Sequence, residues 1–228
     1  MATSRPDLKS LRVGVLQFPG SNCDMDCVQV LTRHFSIAPQ IVWHQSQKLP
    51  KLDAVVIPGG FSFGDYLRSG ALAAHTDVMK SVQDFCAAGG AVLGICNGFQ
   101  VLVEAKILPG MLLHNTNLKF ICRPVHLRDF EGTVLEMPIA HGEGRYYADQ
   151  KTLDRLEEKN LIAYKYCDKD GRLEQTSNPN GSLRAIAGVY SENKRVLGMM
   201  PHPERATDIF LGGSSDGLKT WSRFLETV

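Results

Sequence analysis

Ala91-Val92-Leu93-Gly94-Ile95-Cys96-Asn97-Gly98-Phe99-Gln100 decides how the rest of the chain is read. Residues 91–95 have the composition and length of a buried strand, and residues 99–105 continue as a helix. Between them, Gly-x-Cys-x-Gly is the thiol counterpart of the Gly-x-Ser-x-Gly nucleophile elbow. There a strand turns so sharply into a helix that only glycine fits two residues before and two after the nucleophile. Such a turn holds the sulfur clear of the backbone at a helix N-terminus, where unpaired N–H groups favour thiolate. The stretch predicts a reactive cysteine at a strand end.

Working outward, residues 11–17 read as the first buried parallel strand, 40–44 as a second short strand and 53–57 as a third, with helices at 24–35 and 71–87. Pro109-Gly110 closes the helix that follows the elbow. Strand, helix, strand, strand, helix, strand, helix is a doubly wound α/β pattern, whose sites lie at the carboxyl ends of strands. The second half is strand-rich, with strands at 120–127, 133–140, 161–167, 183–190 and 195–200. Helices are expected only at 151–159 and 216–226. This half reads as an antiparallel or mixed extension on the same domain, making residues 1–228 a single domain.

A hydrophobic content of 43% suits a globular core, and a formal charge of +1 gives no reason to expect nucleic acid or an anionic membrane. No apolar run approaches the roughly 20 residues of a membrane helix. The start, Met1-Ala2-Thr3-Ser4-Arg5-Pro6-Asp7, lacks the apolar core of a signal peptide, so the expected location is cytoplasmic. Cys23, Cys27, Cys86, Cys96, Cys122 and Cys167 show no paired metal-ligand spacing, and they are expected to be free thiols with no metal bound.

A cysteine nucleophile needs a base, and the base needs an orienting partner. His34, His44 and His75 sit in predicted helix or strand without a nearby acid, while His114 and His126 flank a predicted strand. His202 follows the apolar strand 195–200 and lies in Pro201-His202-Pro203-Glu204. Pro203 favours an extended conformation for His202, and in extended chain residues two apart face one side. Glu204 can then support the imidazole; a proline-rich turn with two solvated polar residues is the competing account. His141, at a strand end in Gly-rich His141-Gly142-Glu143-Gly144-Arg145, is the rival base. An oxyanion site would combine the Asn97 N–H with a donor from Pro58-Gly59-Gly60-Phe61, chosen here as Gly60.

Together, Gly94-Ile95-Cys96-Asn97-Gly98-Phe99-Gln100, Pro58-Gly59-Gly60 and Pro201-His202-Pro203-Glu204 resemble the class I (triad) glutamine amidotransferases. The resemblance implies their three-layer α/β/α, doubly wound, flavodoxin-like fold with a mixed-strand extension. Residues 58–71, 15–24 and 138–146 narrow it to the glutaminases of phosphoribosylformylglycinamidine synthase, and the likeness covers essentially the whole chain. The short length resembles the stand-alone small subunit. The resemblance implies Cys96 as nucleophile, His202 as general base and acid, and Glu204 as its orienter. The ammonia released from glutamine would pass to a large synthetase subunit that uses ATP and magnesium, with a small third subunit completing the complex. This chain itself would need no cofactor. Gln100 and Gly59 are the candidates for holding glutamine, with the Asn117 to Phe120 stretch and residues 141–145 behind them. Arg145 and the Phe61 to Arg68 loop suit a docking face or an ammonia exit. Two readings compete: another elbow hydrolase, such as a γ-glutamyl hydrolase, and a non-catalytic thiol-sensing or binding protein.

Overall fold

The structure is a computed structural model that describes residues 8–228, the side chains of Leu211 and Gly212 apart; residues 1–7, where a signal peptide was sought, lie outside the described residues. In chain order the first half runs β1 (Val13–Gln17), α1 (Asp24–Phe35), β2 (Gln40–Trp43), β3 (Ala54–Ile57), α2 (Ala71–Ala74), α3 (Asp77–Ala87), β4 (Ala91–Ile95) and α4 (Asn97–Glu104). The second half runs β5 (Met111–Leu113), β6 (Ile121–Asp129), β7 (Val134–His141), β8 (Arg145–Tyr147), α5 (Gln150–Glu158), β9 (Ile162–Cys167), β10 (Ile186–Tyr190), β11 (Val196–Met199), α6 (Ile209–Gly212) and α7 (Gly217–Leu225).

Nine strands form one sheet in the order β2-β1-β3-β4-β11-β10-β9-β6-β7. β1 pairs parallel with β2 and β3, and β4 pairs parallel with β3 and β11. β3 and β4 are buried along their whole length, as apolar runs in a sheet covered on both faces must be. The chain steps from β1 to β2 in one direction and from β3 to β4 in the other. Right-handed crossovers therefore place α1 and α3 on opposite faces, the three layers expected from sequence. The carboxyl ends of β1, β3, β4 and β11 converge at one edge, where doubly wound sheets carry their sites.

The mixed extension is not peripheral. β10, β9, β6 and β7 continue the sheet antiparallel from β11, and then curl back over the strand ends. Although β7 is the last strand in the order, the Pro138 carbonyl accepts from the His202 N–H at 2.9 Å. Its Ala140 carbonyl lies 3.7 Å from Cys96 Sγ.

Several boundaries differ from the sequence reading. The helix expected at 71–87 is two helices, because Thr76 takes an extended backbone (φ −71°, ψ 157°) and its hydroxyl donates to the Ala73 carbonyl at 2.8 Å. The elbow helix stops at Glu104, ahead of Pro109-Gly110, where Lys106 turns left-handed at φ 59°. Residues 183–185 form a 3₁₀ turn before β10. β5 and β8 pair as a separate two-stranded sheet that three-residue patterns do not announce.

Candidate active site

Cys96 ends β4 and caps α4 with φ 50° and ψ −105°, a backbone that L residues rarely hold. The two glycines around it are forced by close approach. A Cβ on Gly98 would lie 1.9 Å from the Ile57 carbonyl oxygen, and one on Gly94 would lie 2.8 Å from the Gly98 oxygen. The Cys96 N–H donates to the Met199 carbonyl at 2.7 Å, which fixes the elbow beside the end of β11. Three residues further on, the chain reaches His202.

His202 and Glu204 meet as expected: Nδ1 and Oε1 are 2.6 Å apart, and both side chains are buried. The route differs from the extended segment read from sequence. Only His202 is near-extended, and Pro203–Arg205 is a 3₁₀ turn that swings the carboxylate back under the ring. With Nδ1 taken by Glu204, Nε2 is left to face the elbow, and this nitrogen is buried with no hydrogen-bond partner among the described residues. Burial alone would lower the imidazolium pKa of His202. The charges of Glu204 and then Cys96 outweigh it, and hold the value well above the ordinary one. The arrangement supplies a sulfur nucleophile, a proton carrier and a carboxylate that fixes the carrier's tautomer.

Gly59 lies behind the histidine. A Cβ there would come within 2.9 Å of His202 Cε1 and 3.1 Å of Cys23 Sγ. Its carbonyl accepts from the Asn22 and Cys23 N–H groups. Gly60, at φ 147°, bridges to Ser21, and a Cβ would strike the Gly20 oxygen at 2.7 Å. Loops 18–22 and 58–60 thus interlock at the point where the strand order reverses.

The Asn97 and Gln100 side chains are committed to holding loops. Asn97 Oδ1 accepts from the Ser62 N–H at 3.1 Å, and Nδ2 donates to Asp65 Oδ1 at 3.2 Å and Gln100 Oε1 at 2.9 Å. Gln100 Nε2 donates to the Glu143 carbonyl at 2.6 Å. The elbow helix thereby ties loop 61–70 to loop 142–144. Asp65 is itself shifted: burial, with Glu143 nearby, raises its pKa despite the Ser69, Asn97 and Gly70 hydrogen bonds.

His141, the rival base, is arranged otherwise. Nδ1–H donates to Asn115 Oδ1 at 3.0 Å, and Asn115 also accepts from the Gly144 N–H and donates to the Lys119 and His141 carbonyls. Burial, with the His202 charge behind it, pushes its pKa down to about 4, so it stays neutral. Among the described residues no carboxylate orients it. His114 and His126 lie 3.6 and 3.8 Å from Glu143 and Glu136. His44 sits in an aromatic group with Trp43, Phe18 and Phe63.

Sequence reasoning missed two site neighbours. Asn115 lies in a turn with no motif around it. Cys23 is buried 3.9 Å from His202 Nδ1, and its sequence signal was the Pro19-Gly20 turn at the end of β1. Cys23, His202 and Glu204 together form a group able to hold a metal ion. Around the rim, Phe61 stacks on Phe120 with ring centroids 6.4 Å apart, while Tyr66, Leu67 and Leu118 are exposed. Arg145 Nε donates to the His114 carbonyl at 2.9 Å.

Residues 10–214 match the family of CobB/CobQ-like glutamine amidotransferase domains. The chain is 49% identical over 211 residues to phosphoribosylformylglycinamidine synthase subunit PurQ of Rhodospirillum rubrum, covering 87% of this chain and 92% of that one. To the subunit PurQ of Thermosynechococcus vestitus it is 48% identical over 233 residues, covering 95% and 97%. Among solved structures, that of PurLQS from Thermotoga maritima superposes with a TM-score of 0.81 at 35% identity, covering 94% of this chain and 97% of the other.

Proposed function

Because the chain belongs to the CobB/CobQ-like glutamine amidotransferase family, we propose that Cys96, His202 and Glu204 are its catalytic triad. It is a glutaminase of phosphoribosylformylglycinamidine synthase, working with a synthetase subunit in that complex on glutamine. The kinship disfavours a γ-glutamyl hydrolase or a non-catalytic thiol sensor on the same fold.

In the reaction Cys96 Sγ attacks the side-chain amide carbon of glutamine. His202 Nε2–H then protonates the departing nitrogen, leaving a γ-glutamyl thioester and ammonia. Nε2, now unprotonated, takes a proton from water as that water attacks the thioester, and glutamate leaves with the thiolate restored. Glu204 keeps Nδ1 protonated and the ring in register throughout. The Asn97 and Gly60 N–H groups hold the oxyanion of each tetrahedral intermediate. Gln100 and Gly59 shape the glutamine pocket, the first by fixing loop 142–144 and the second by letting His202 approach. This chemistry needs no metal or cofactor in the chain; ATP and magnesium belong to the synthetase subunit. The exposed aromatic rim from Phe61 to Phe120 is the face for that subunit and the ammonia exit. The chain acts as one domain, in the cytoplasm where purines are assembled.

The observation that carries this reading is the convergence of the Cys96 elbow and the 2.6 Å His202–Glu204 pair at neighbouring strand ends. The test is amidine synthesis by the reconstituted complex with Cys96→Ala. Glutamine-dependent turnover should fall by about 10⁴-fold or more, as on losing a covalent nucleophile. Ammonia-dependent turnover should persist. Retained glutamine use would show the assignment to be wrong.

A further inference from the structure

We propose that Cys23, His202 and Glu204 form an inhibitory zinc site on the side of the catalytic histidine that faces away from Cys96. The inhibition rests on His202 and Glu204 serving Cys96 as read above; the binding does not. Cys23 is buried and has no part in the glutaminase reaction, yet its thiol is placed against the catalytic pair. One ligand atom from each of the three residues lies within 4.8 Å of the other two. In tetrahedral zinc sites, bonds of about 2.0–2.3 Å put sulfur and nitrogen about 3.6 Å apart, and nitrogen and oxygen about 3.4 Å apart. Cys23 Sγ and His202 Nδ1 are already 3.9 Å apart. The 2.6 Å Nδ1–Oε1 hydrogen bond has to open by about 0.8 Å, and the Cys23 sulfur and Glu204 oxygen start within 4.8 Å of each other.

A second observation points to a cation. Glu204 Oε2 is buried and has no hydrogen-bond partner among the described residues. A desolvated carboxylate oxygen left unpaired is costly, and a metal ion satisfies it. Three protein ligands with water in the fourth position is an arrangement zinc favours. Arg205 Nη2 lies 3.1 Å from Cys23 Sγ, where it supports the thiolate that a metal needs, and its Nε faces Asp26 at 3.5 Å.

Zinc binding exchanges two protons for one cation. The Cys23 thiol proton and the His202 Nδ1 proton leave to solvent, and Zn–S and Zn–N bonds replace the S–H and N–H bonds. His202 keeps its hydrogen on Nε2, but a metal-bound neutral imidazole is a far weaker acid than imidazolium. It cannot protonate the departing nitrogen, and turnover stops before the thioester forms.

Two measurements test the site. In the reconstituted complex, buffered Zn²⁺ should inhibit glutamine-dependent but not ammonia-dependent synthesis. Cys23→Ser, compared with its own zinc-free rate, should need at least about tenfold more zinc for the same inhibition. In the isolated chain carrying Cys96→Ala, Co²⁺ should give a thiolate-to-cobalt charge-transfer band that vanishes in Cys96→Ala/Cys23→Ser. Should Cys23→Ser fail to fold, Cys23→Ala gives the same comparison. Equal zinc sensitivity in Cys23→Ser, or no band in Cys96→Ala, overturns the proposal by assigning the zinc to Cys96. The cobalt band is independent of turnover. A band in Cys96→Ala beside an unmutated chain that hydrolyses no glutamine in the complex refutes the glutaminase reading alone; no band in Cys96→Ala beside an active unmutated chain refutes the metal site alone.

Discussion

Replacing Gly98 by alanine puts the reasoning about the elbow to its sharpest test. Gly98 is the second residue of α4, where alanine would ordinarily gain about 1 kcal/mol of helix propensity. The space is missing: the new Cβ would sit 1.9 Å from the Ile57 oxygen and 2.7 Å from its carbonyl carbon, roughly 1.5 Å short of ordinary contact. Both obstacles are backbone, in a strand locked by its register with β4, so no side chain can swing aside. Either the elbow or the Pro58-Gly59-Gly60 loop must shift by about 1 Å, and a displacement of that size costs a catalytic centre about 10²-fold. The overpacking outweighs the propensity gain. The net loss is about 2 kcal/mol, or roughly 4–8 °C in Tm for a chain of this length. Glutamine-dependent kcat in the complex, ammonia-dependent kcat and calorimetric Tm are the three readouts. Gly142→Ala, whose nearest contact would be an ordinary 3.8 Å, is the control and should leave stability within about 0.5 kcal/mol of the original. A Gly98→Ala chain with unchanged Tm and more than half its glutamine-dependent kcat would refute the claim that close approach dictates this glycine.

Two further outcomes follow from the histidines. Glu204→Gln removes the charge that holds the His202 pKa up against burial, so the alkaline limb of the kcat profile should move to lower pH. The kcat itself should drop by about 10²–10⁴-fold; an unmoved limb would mean that it does not report His202. His141 is depressed to about 4, so the folded chain binds fewer protons than the unfolded one between that value and the ordinary 6.5, and stability falls as pH falls through that window. The loss from this group between pH 7 and pH 5 is about 2 kcal/mol. Urea midpoints at the two pH values should show a pH dependence smaller by that amount in His141→Asn, and identical dependence in both chains would refute it.

The first half of the fold was legible because each of its strands is a short apolar run and each crossover carries turn residues at its ends. The glycine spacing around Cys96 has one geometric meaning, and His-x-Glu after a core strand has few. What the sequence hid was long-range. Nothing local in residues 134–141 says that the last strand of the sheet curls back so that Pro138 and Ala140 touch His202 and Cys96. The break at Thr76 was invisible because a single hydroxyl competing for the Ala73 carbonyl outweighs an apolar periodicity that runs through it. Asn115 and Cys23 were overlooked for the same reason. Their importance comes from what they face across the fold, not from their neighbours in the chain.

The backbone contacts from β7 to Cys96 and His202 bear on how the chain is born. Cys96 is synthesised more than a hundred residues before His202, and the strand that steadies both lies between them in sequence. Contacts of such separation close late in folding. A nascent or partly folded chain therefore carries an exposed thiol but no working centre. Cys96, His202 and Glu204 come together only when the carboxyl-terminal strands are seated.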